Sequence, residues 1–436
     1  MKLSKEQIDN YTLILTEELI PAMGCTEPIA IALATAKVGE VLGEEAKHLT
    51  VRCSGNIIKN VKGVTVPNSG NQKGIEVAAT LGLIGGDSSK ELEVIADVTD
   101  DDRRRAGEMV SRGFCEVELE PDVPNLYIRA TATGENHEAT VTIRDIHTNI
   151  VSILYDGKEQ LTGKDNNACT DGSVTFKGDR SMMTLDGLIE YAASVDINEV
   201  KEVLDRQIVC NSAISQEGLD NRWGAAVGKT LLENWGSDCK TLACARAAAG
   251  SDARMSGCPL PVVINSGSGN QGITVTMPVL VYADEWKVSE EKRYRALIVS
   301  NLVSIYIKHY IGALSAFCGA VSAGCGAGAA ITYMAGGDYK SIGRTIANTL
   351  GNVGGIVCDG AKPSCAAKIA SSVNAALMAH YMSVSQKAFH GGEGFIEEDI
   401  EKTIKNMGYI GKIGMKQTDV EILNVMIDKV DVDESL

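Results

Sequence analysis

Aromatic side chains are scarce: Phe, Trp and Tyr together make up 5% of the 436 residues, against 45 glycines. A core with so few rings has to be filled by bringing backbones close together, which implies tight helix–helix contacts. Basic charge is also short, with 41 Lys and Arg against 57 Asp and Glu and a net charge of −16. That balance argues against a nucleic-acid partner, because a phosphate-backbone footprint needs a basic surface. The histidines His48, His137, His147, His309, His380 and His390 stand without ligand spacing, so each reads as a surface or hydrogen-bonded core residue. The first residues lack the apolar stretch of a signal peptide, and the expected location is the cytoplasm. What is present, 44% hydrophobic and 22% charged residues, excludes wholesale disorder.

One segment competes for a membrane reading. Residues 310–337 carry no formal charge, and ~20 apolar residues suffice to cross a bilayer. The run is mostly Gly, Ala, Ser and Cys, which supply little transfer free energy, so a buried helix is the expectation and no membrane partner is assigned. The 12 cysteines then belong to a reducing compartment. There a disulfide scaffold is not expected, and the default for a thiol is a small buried hydrophobe.

Along the chain, Ser4 with Gln7 predicts a capped helix over 5–20, stopped by Pro21. Ile29 to Leu42 predicts a second, which leaves Cys25 in a turn before a helix start. Between 46 and 174 the runs 49–54, 92–96, 115–119, 126–132, 139–145 and 148–154 predict strands, the last three as an antiparallel meander. Helices are expected over 74–83 and 100–113. After the polar stretch that begins at Leu161, helical patterning takes over. The fold class expected is α+β: a Gly/Ala-rich helical domain from 1–45 and 175–436, with an inserted α/β domain at 46–174 whose sheet is largely antiparallel. An internal echo links the two parts, since Asn68-Ser-Gly-Asn-Gln-Lys-Gly-Ile75 resembles Asn265-Ser-Gly-Ser-Gly-Asn-Gln-Gly-Ile273. Glycine-rich loops before a helix suit anions, but neither loop matches a dinucleotide or P-loop pattern, so an anion cradle and a plain turn both remain open.

The cysteines near the C-terminus are the next candidates. Cys318 and Cys325 are seven apart on the uncharged run, which predicts one helix face for both. Cys358 and Cys365 repeat the step in a loop that ends at a helix start, where thiolate ligands are favoured. The spacing is that of neither a zinc ribbon nor a bacterial ferredoxin. A metal site and buried thiols both fit.

Four stretches carry a likeness that composition does not: Pro21-Ala-Met-Gly-Cys-Thr-Glu-Pro28, Ser251-Asp-Ala-Arg-Met255, Phe317-Cys-Gly-Ala320 and Cys358-Asp-Gly-Ala-Lys-Pro-Ser-Cys365. In this order, across nearly the whole chain, they resemble the L-cysteine desulfidase family, which is related to the iron–sulfur L-serine dehydratases. The resemblance implies a [4Fe–4S] cluster on Cys318, Cys358 and Cys365, with Cys25 as the catalytic base. It implies β-elimination of L-cysteine to pyruvate, ammonia and sulfide, with L-serine dehydration as the variant reaction. The iron without a cysteine would act as a Lewis acid on a small amino-acid substrate. Cys325 is not required by the pattern, and as a fourth ligand it would close that iron.

Around this centre the candidate substrate-binding residues are Thr26, Glu27, Asn68, Ser266, Asn270, Gln271 and Lys362. Cys25 is expected to have its thiol pKa lowered by the helix start behind it. Asp252 and Arg254 read first as a structural pair, with Arg254 on a substrate carboxylate as the functional alternative. Arg103, Arg104 and Arg105 after three aspartates read as a solvated face. Two other classes compete. One is a pyridoxal-phosphate eliminase with Lys362 as Schiff base and Ser266–Gly272 as phosphate cup. The other is a non-catalytic cluster or thiol redox protein. A homodimer is compatible with the composition.

Overall fold

Ser4 caps the first helix, Lys5–Glu18, through the reciprocal box with Gln7 that the sequence predicts. The computed structural model describes residues 3–162, 177–312 and 314–430. The expected boundary near 174/175, and most of the polar stretch after Leu161, lie outside the described residues.

The chain crosses from that helix through a short strand, Pro21–Met23, into the helix Thr26–Leu42. This second helix starts earlier than its apolar run predicts because Pro28 fits a first turn. It packs on the sheet of the α/β part together with Ile75–Gly85. The sheet has six strands in the order Cys115–Leu119, His48–Cys53, Tyr127–Thr133, Glu138–Arg144, Ile150–Tyr155 and Lys158–Thr162. The first pair is parallel, with Leu49 opposite Cys115, and every other pair is antiparallel. Alternation sets the faces: Ile128, Ala130 and Ala132, then Ala139, Val141 and Ile143, point into the core.

One predicted strand is absent. Residues 92–96 form the end of a 3₁₀ turn, Ser88–Glu93, and a bend after it. Leu92, Val94 and Ile95 are buried there, so the β-branched run answers to burial without a neighbouring strand to pair with.

In the helical part, Gly319–Met334 runs through the middle, between Glu290–Ile311, Gly269–Glu285, Tyr339–Val353 and Cys365–Val384. Its small residues let this happen: a Cβ on Gly326 would stand 2.3 Å from the carbonyl oxygen of Ser300, and one on Gly324 3.0 Å from that of Ser372. The scarcity of rings is met by close backbones, as expected. No helix among the described residues is long and apolar enough to cross a membrane. Cys318 is the N-cap of Gly319–Met334 and lies outside its first turn, so the shared helix face with Cys325 does not form.

Candidate active site

A two-stranded ladder, Pro21–Met23 antiparallel to Pro261–Val263, ties the stretch before Cys25 to the stretch before Asn265. Gly24 then makes the turn that presents Cys25. Its φ of +55° is left-handed and a Cβ would stand 2.1 Å from Cγ of Pro67, so the site requires glycine. Cys25 is the N-cap of Thr26–Leu42 and is 1% exposed. Its Sγ donates to Oε2 of Glu27 at 3.0 Å, and Oγ1 of Thr26 stands 3.2 Å from the same oxygen and 3.0 Å from the carbonyl of Gly267. The expected lowering of the thiol pKa is overturned. Burial, and next the Glu27 carboxylate, hold the Cys25 thiol well above its ordinary range, against a smaller opposite pull from Arg254. A helix end cannot offset full desolvation.

The opposite side of Glu27 is faced by a residue from the α/β part. His147 sits in the turn between Glu138–Arg144 and Ile150–Tyr155, with Nε2 4.0 Å from Oε1 of Glu27. That nitrogen is buried and has no hydrogen-bond partner. Burial lowers the imidazole pKa; Glu27 opposes this and Arg254 adds to it, so the ring is neutral. Nothing in the sequence around Ile146-His-Thr distinguishes this histidine from the other five, because only the fold brings that turn to Glu27.

Arg254 joins the two ends of the site. It is buried on the helix Cys239–Met255, and its charge acts on Cys25, His147 and Cys365. A Cβ on Gly269 would stand 2.3 Å from its Nε, which has no hydrogen-bond partner. The predicted pairing with Asp252 does not form. Asp252 instead accepts from the backbone of Gly228 at 3.0 Å, and burial raises its pKa to about 6. Asn270 and Gln271 lie in the first turn of Gly269–Glu285, and Oδ1 of one and Oε1 of the other are buried without a partner. The Gln271 amide rests against Gly319, where a Cβ would stand 2.7 Å from its carbon. The Asn265 loop therefore reaches the N-terminus at Cys318.

The three thiols meet there. Phe317 and Val357 form an antiparallel bridge in which Cys318 N–H donates to Ile356 at 3.0 Å and Cys358 N–H to Ala316 at 2.6 Å. Cys365 opens the helix Cys365–Val384. Burial pushes the Cys318 thiol up to about 12, and the neighbouring thiols of Cys358 and Cys365 add to this. Burial and Cys358 likewise raise Cys365. Cys325 is fully buried elsewhere, with Thr349 as its side-chain partner. Lysines flank the trio. Lys368 donates to the carbonyl of Val357 at 2.9 Å and is ion-paired with Asp359. Lys308 faces Cys358 and Cys318, and burial lowers its pKa to about 8.

Three of the candidate substrate residues are held by other partners. The Asn68 amide donates to the carbonyls of Ile95 and Ala96 at 3.0 and 2.9 Å and accepts from Arg103, so it fixes the 92–96 bend. Arg103 is thus a tether, while Arg104 pairs with Asp101 and Glu108 on the exposed face. Ser266 donates to Oδ1 of Asn265 at 3.0 Å. Lys362 is ion-paired with Asp359 at 2.9 Å. The hollow at Lys240, Met378 and Tyr381 and the one at His309, Tyr310 and Lys412 are lined by none of these residues.

Residues 89–424 match the serine dehydratase alpha chain family. The chain belongs to that family. Similar over nearly full length are UPF0597 proteins of Finegoldia magna, 49% identical over 421 residues with 96% of this chain and all of the relative covered, and of Lachnoclostridium phytofermentans, 49% over 424 residues with 97% and all covered. A UPF0597 protein of Treponema denticola is 44% identical over 432 residues, covering 98% of this chain and all of that one. The family indicates a lyase-type enzyme and is generally iron–sulfur dependent.

The thiols can be tested against such a group. Among the described residues no three His, Cys, Asp or Glu side chains close on a single metal ion. A four-iron cluster asks for something wider, since each cysteine binds a separate iron. Three thiols that act on one another, two of them at helix starts and with Lys308 and Lys368 close enough to act on them, fit that requirement.

Proposed function

We propose that this protein eliminates the β-substituent of a small L-amino acid, converting L-cysteine to pyruvate, ammonia and sulfide, with L-serine as the variant substrate. The observation that carries this is the set of unpartnered buried polar atoms on Arg254, whose charge acts on Cys25, and on Asn270 and Gln271, the latter resting against Gly319. The donor Nε of Arg254 suits an α-carboxylate, and the acceptors Oδ1 of Asn270 and Oε1 of Gln271 suit an α-ammonium. Buried polar atoms without partners are costly in a folded protein, and a zwitterion with these two ends would satisfy them together.

Cys318, Cys358 and Cys365 would hold a [4Fe–4S] cluster, which when bound supplies a Lewis acid for the leaving group. Cys25 removes the Cα proton. Because its thiol rests protonated, it must first pass its own proton along the 3.0 Å hydrogen bond to Glu27. Neutral His147, with its unpartnered Nε2 4.0 Å from the other carboxylate oxygen, stands where it can take up that proton from Glu27 and return it at the end of the cycle. Water is excluded by burial of Cys25, Thr26 and Glu27, which protects the aminoacrylate until release. Tautomerisation and hydrolysis then yield pyruvate and ammonia.

The test is anaerobic reconstitution with iron and sulfide, followed by parallel assays of pyruvate and sulfide with L-cysteine and L-serine. Pyruvate formation that follows the iron content is the expected result. A fully loaded protein that releases pyruvate from neither substrate overturns the assignment and favours a redox or structural centre.

A further inference from the structure

Lys308 has no place in the proton path or the substrate contacts described above. It lies in the last turn of Glu290–Ile311 and is 6% exposed. The titratable groups facing its ammonium are Cys358 from the Val357 bridge, Cys318 at the start of Gly319–Met334, and Lys59 from the helix Gly55–Val61. Lys59 is itself ion-paired with Asp419 of the helix Lys416–Met426, so its charge is already matched. Lys368, on the other flank of the trio, is matched by Asp359. Among the described residues no carboxylate stands within ion-pairing distance of Lys308.

A buried ammonium with no anion is strongly unfavourable, and side chains of this type are almost never buried inside proteins unless paired. The groups in front of Lys308 are thiols, which are uncharged until they lose a proton. Metal binding removes that proton, because a coordinating cysteine binds as thiolate. The negative charge that Lys308 lacks therefore arrives with the metal.

We propose that Lys308 is the counter-charge of the centre held by Cys318, Cys358 and Cys365, a positioning residue that favours the thiolate-bound state and touches neither substrate nor reacting atoms. This rests on the reading of the three thiols as the ligand set. It separates the two flanking lysines: Lys368 is tied to the loop through Asp359, whereas Lys308 is free to act on the centre. A cation beside an iron–sulfur cluster also makes added electrons more stable, so it raises the reduction potential.

The experiment compares wild type, Lys308→Met and Lys308→Gln, each metal-free and after anaerobic reconstitution with iron and sulfide. The metal-free Lys308→Met chain is expected to melt no lower than wild type, since an unpaired buried cation is replaced by an apolar chain of similar length. After reconstitution both variants are expected to lose iron to a chelator at least tenfold faster and to show a more negative midpoint potential. A lower melting temperature for both metal-free variants would mean that Lys308 has a structural partner, and overturns the proposal. So does an unchanged rate of iron loss together with an unchanged potential. A wild-type chain that takes up no iron overturns the ligand-set reading and this proposal with it, whereas equal loading and equal potentials overturn the role of Lys308 alone.

Discussion

The site has two ends built from the same side chain in opposite settings. At one end Cys25 is paired with a carboxylate, and the result is a thiol that keeps its proton and has a defined acceptor for it. At the other, Cys318, Cys358 and Cys365 sit together between lysines, with no carboxylate bonded to any of the three thiols among the described residues. The first arrangement suits a proton that must move and return in every cycle. The second suits protons displaced once, when metal binds. Burial is the largest cause raising the Cys25, Cys318 and Cys365 thiols, so desolvation does not tell the ends apart; the sign of the neighbouring charge does.

The largest effect is expected at the thiol trio. Cys358→Ala, and equally Cys318→Ala or Cys365→Ala, should leave a folded chain whose iron content after reconstitution falls to background, with pyruvate formation lost. Retention of a full iron load in any of the three would remove that residue from the ligand set. Next comes Arg254, which spans both ends. Arg254→Met should cost at least ~2 kcal/mol of binding to a charged partner, which is on the order of 30-fold in kcat/KM, carried mainly by KM. A change confined to kcat would instead place Arg254 on the reacting atoms.

Glu27 tests the proton-holding end. The active form of Cys25 is the thiolate, so activity should rise as pH climbs toward the raised pKa of the thiol. Glu27's negative charge is part of what raises that pKa. Glu27→Gln should therefore move the rising limb of the kcat profile to lower pH while lowering its plateau, because the proton acceptor is gone. A limb that stays in place would show that burial alone sets the thiol. The smallest effect is expected at Cys325, which is buried against Thr349 away from the trio. Cys325→Ala should keep iron content and turnover and cost about 1 kcal/mol of stability in thermal unfolding.

Much of this comparison was legible in the sequence, and the limits have physical causes. The glycine and alanine texture of 310–337 announced a helix packed by close backbones, and alternation in 126–154 announced the meander. The motif cysteines are readable because turns and helix starts are local. The strand reading of 92–96 failed because a buried bend and a central strand use the same β-branched residues. Asn68 looked like a ligand residue by its echo with Asn265, but only the fold shows Arg103 and two carbonyls holding its amide. His147 and Lys308 were invisible for a related reason. Each sits in an unremarkable local sequence and gains its character from a partner more than 45 residues away, Glu27 for one and Cys358 for the other.

The most direct test of a site with two separable ends is Cys25→Ala, reconstituted anaerobically beside wild type and measured for iron content, for the change in cluster absorbance on adding L-cysteine, and for pyruvate. The account expects full iron, a substrate-dependent change like that of wild type, and turnover reduced by ~10²–10⁴, the share of a positioned acid–base group. Loss of iron in Cys25→Ala would contradict it, because Cys25 would then be a ligand and the proton-transfer role would belong to another residue.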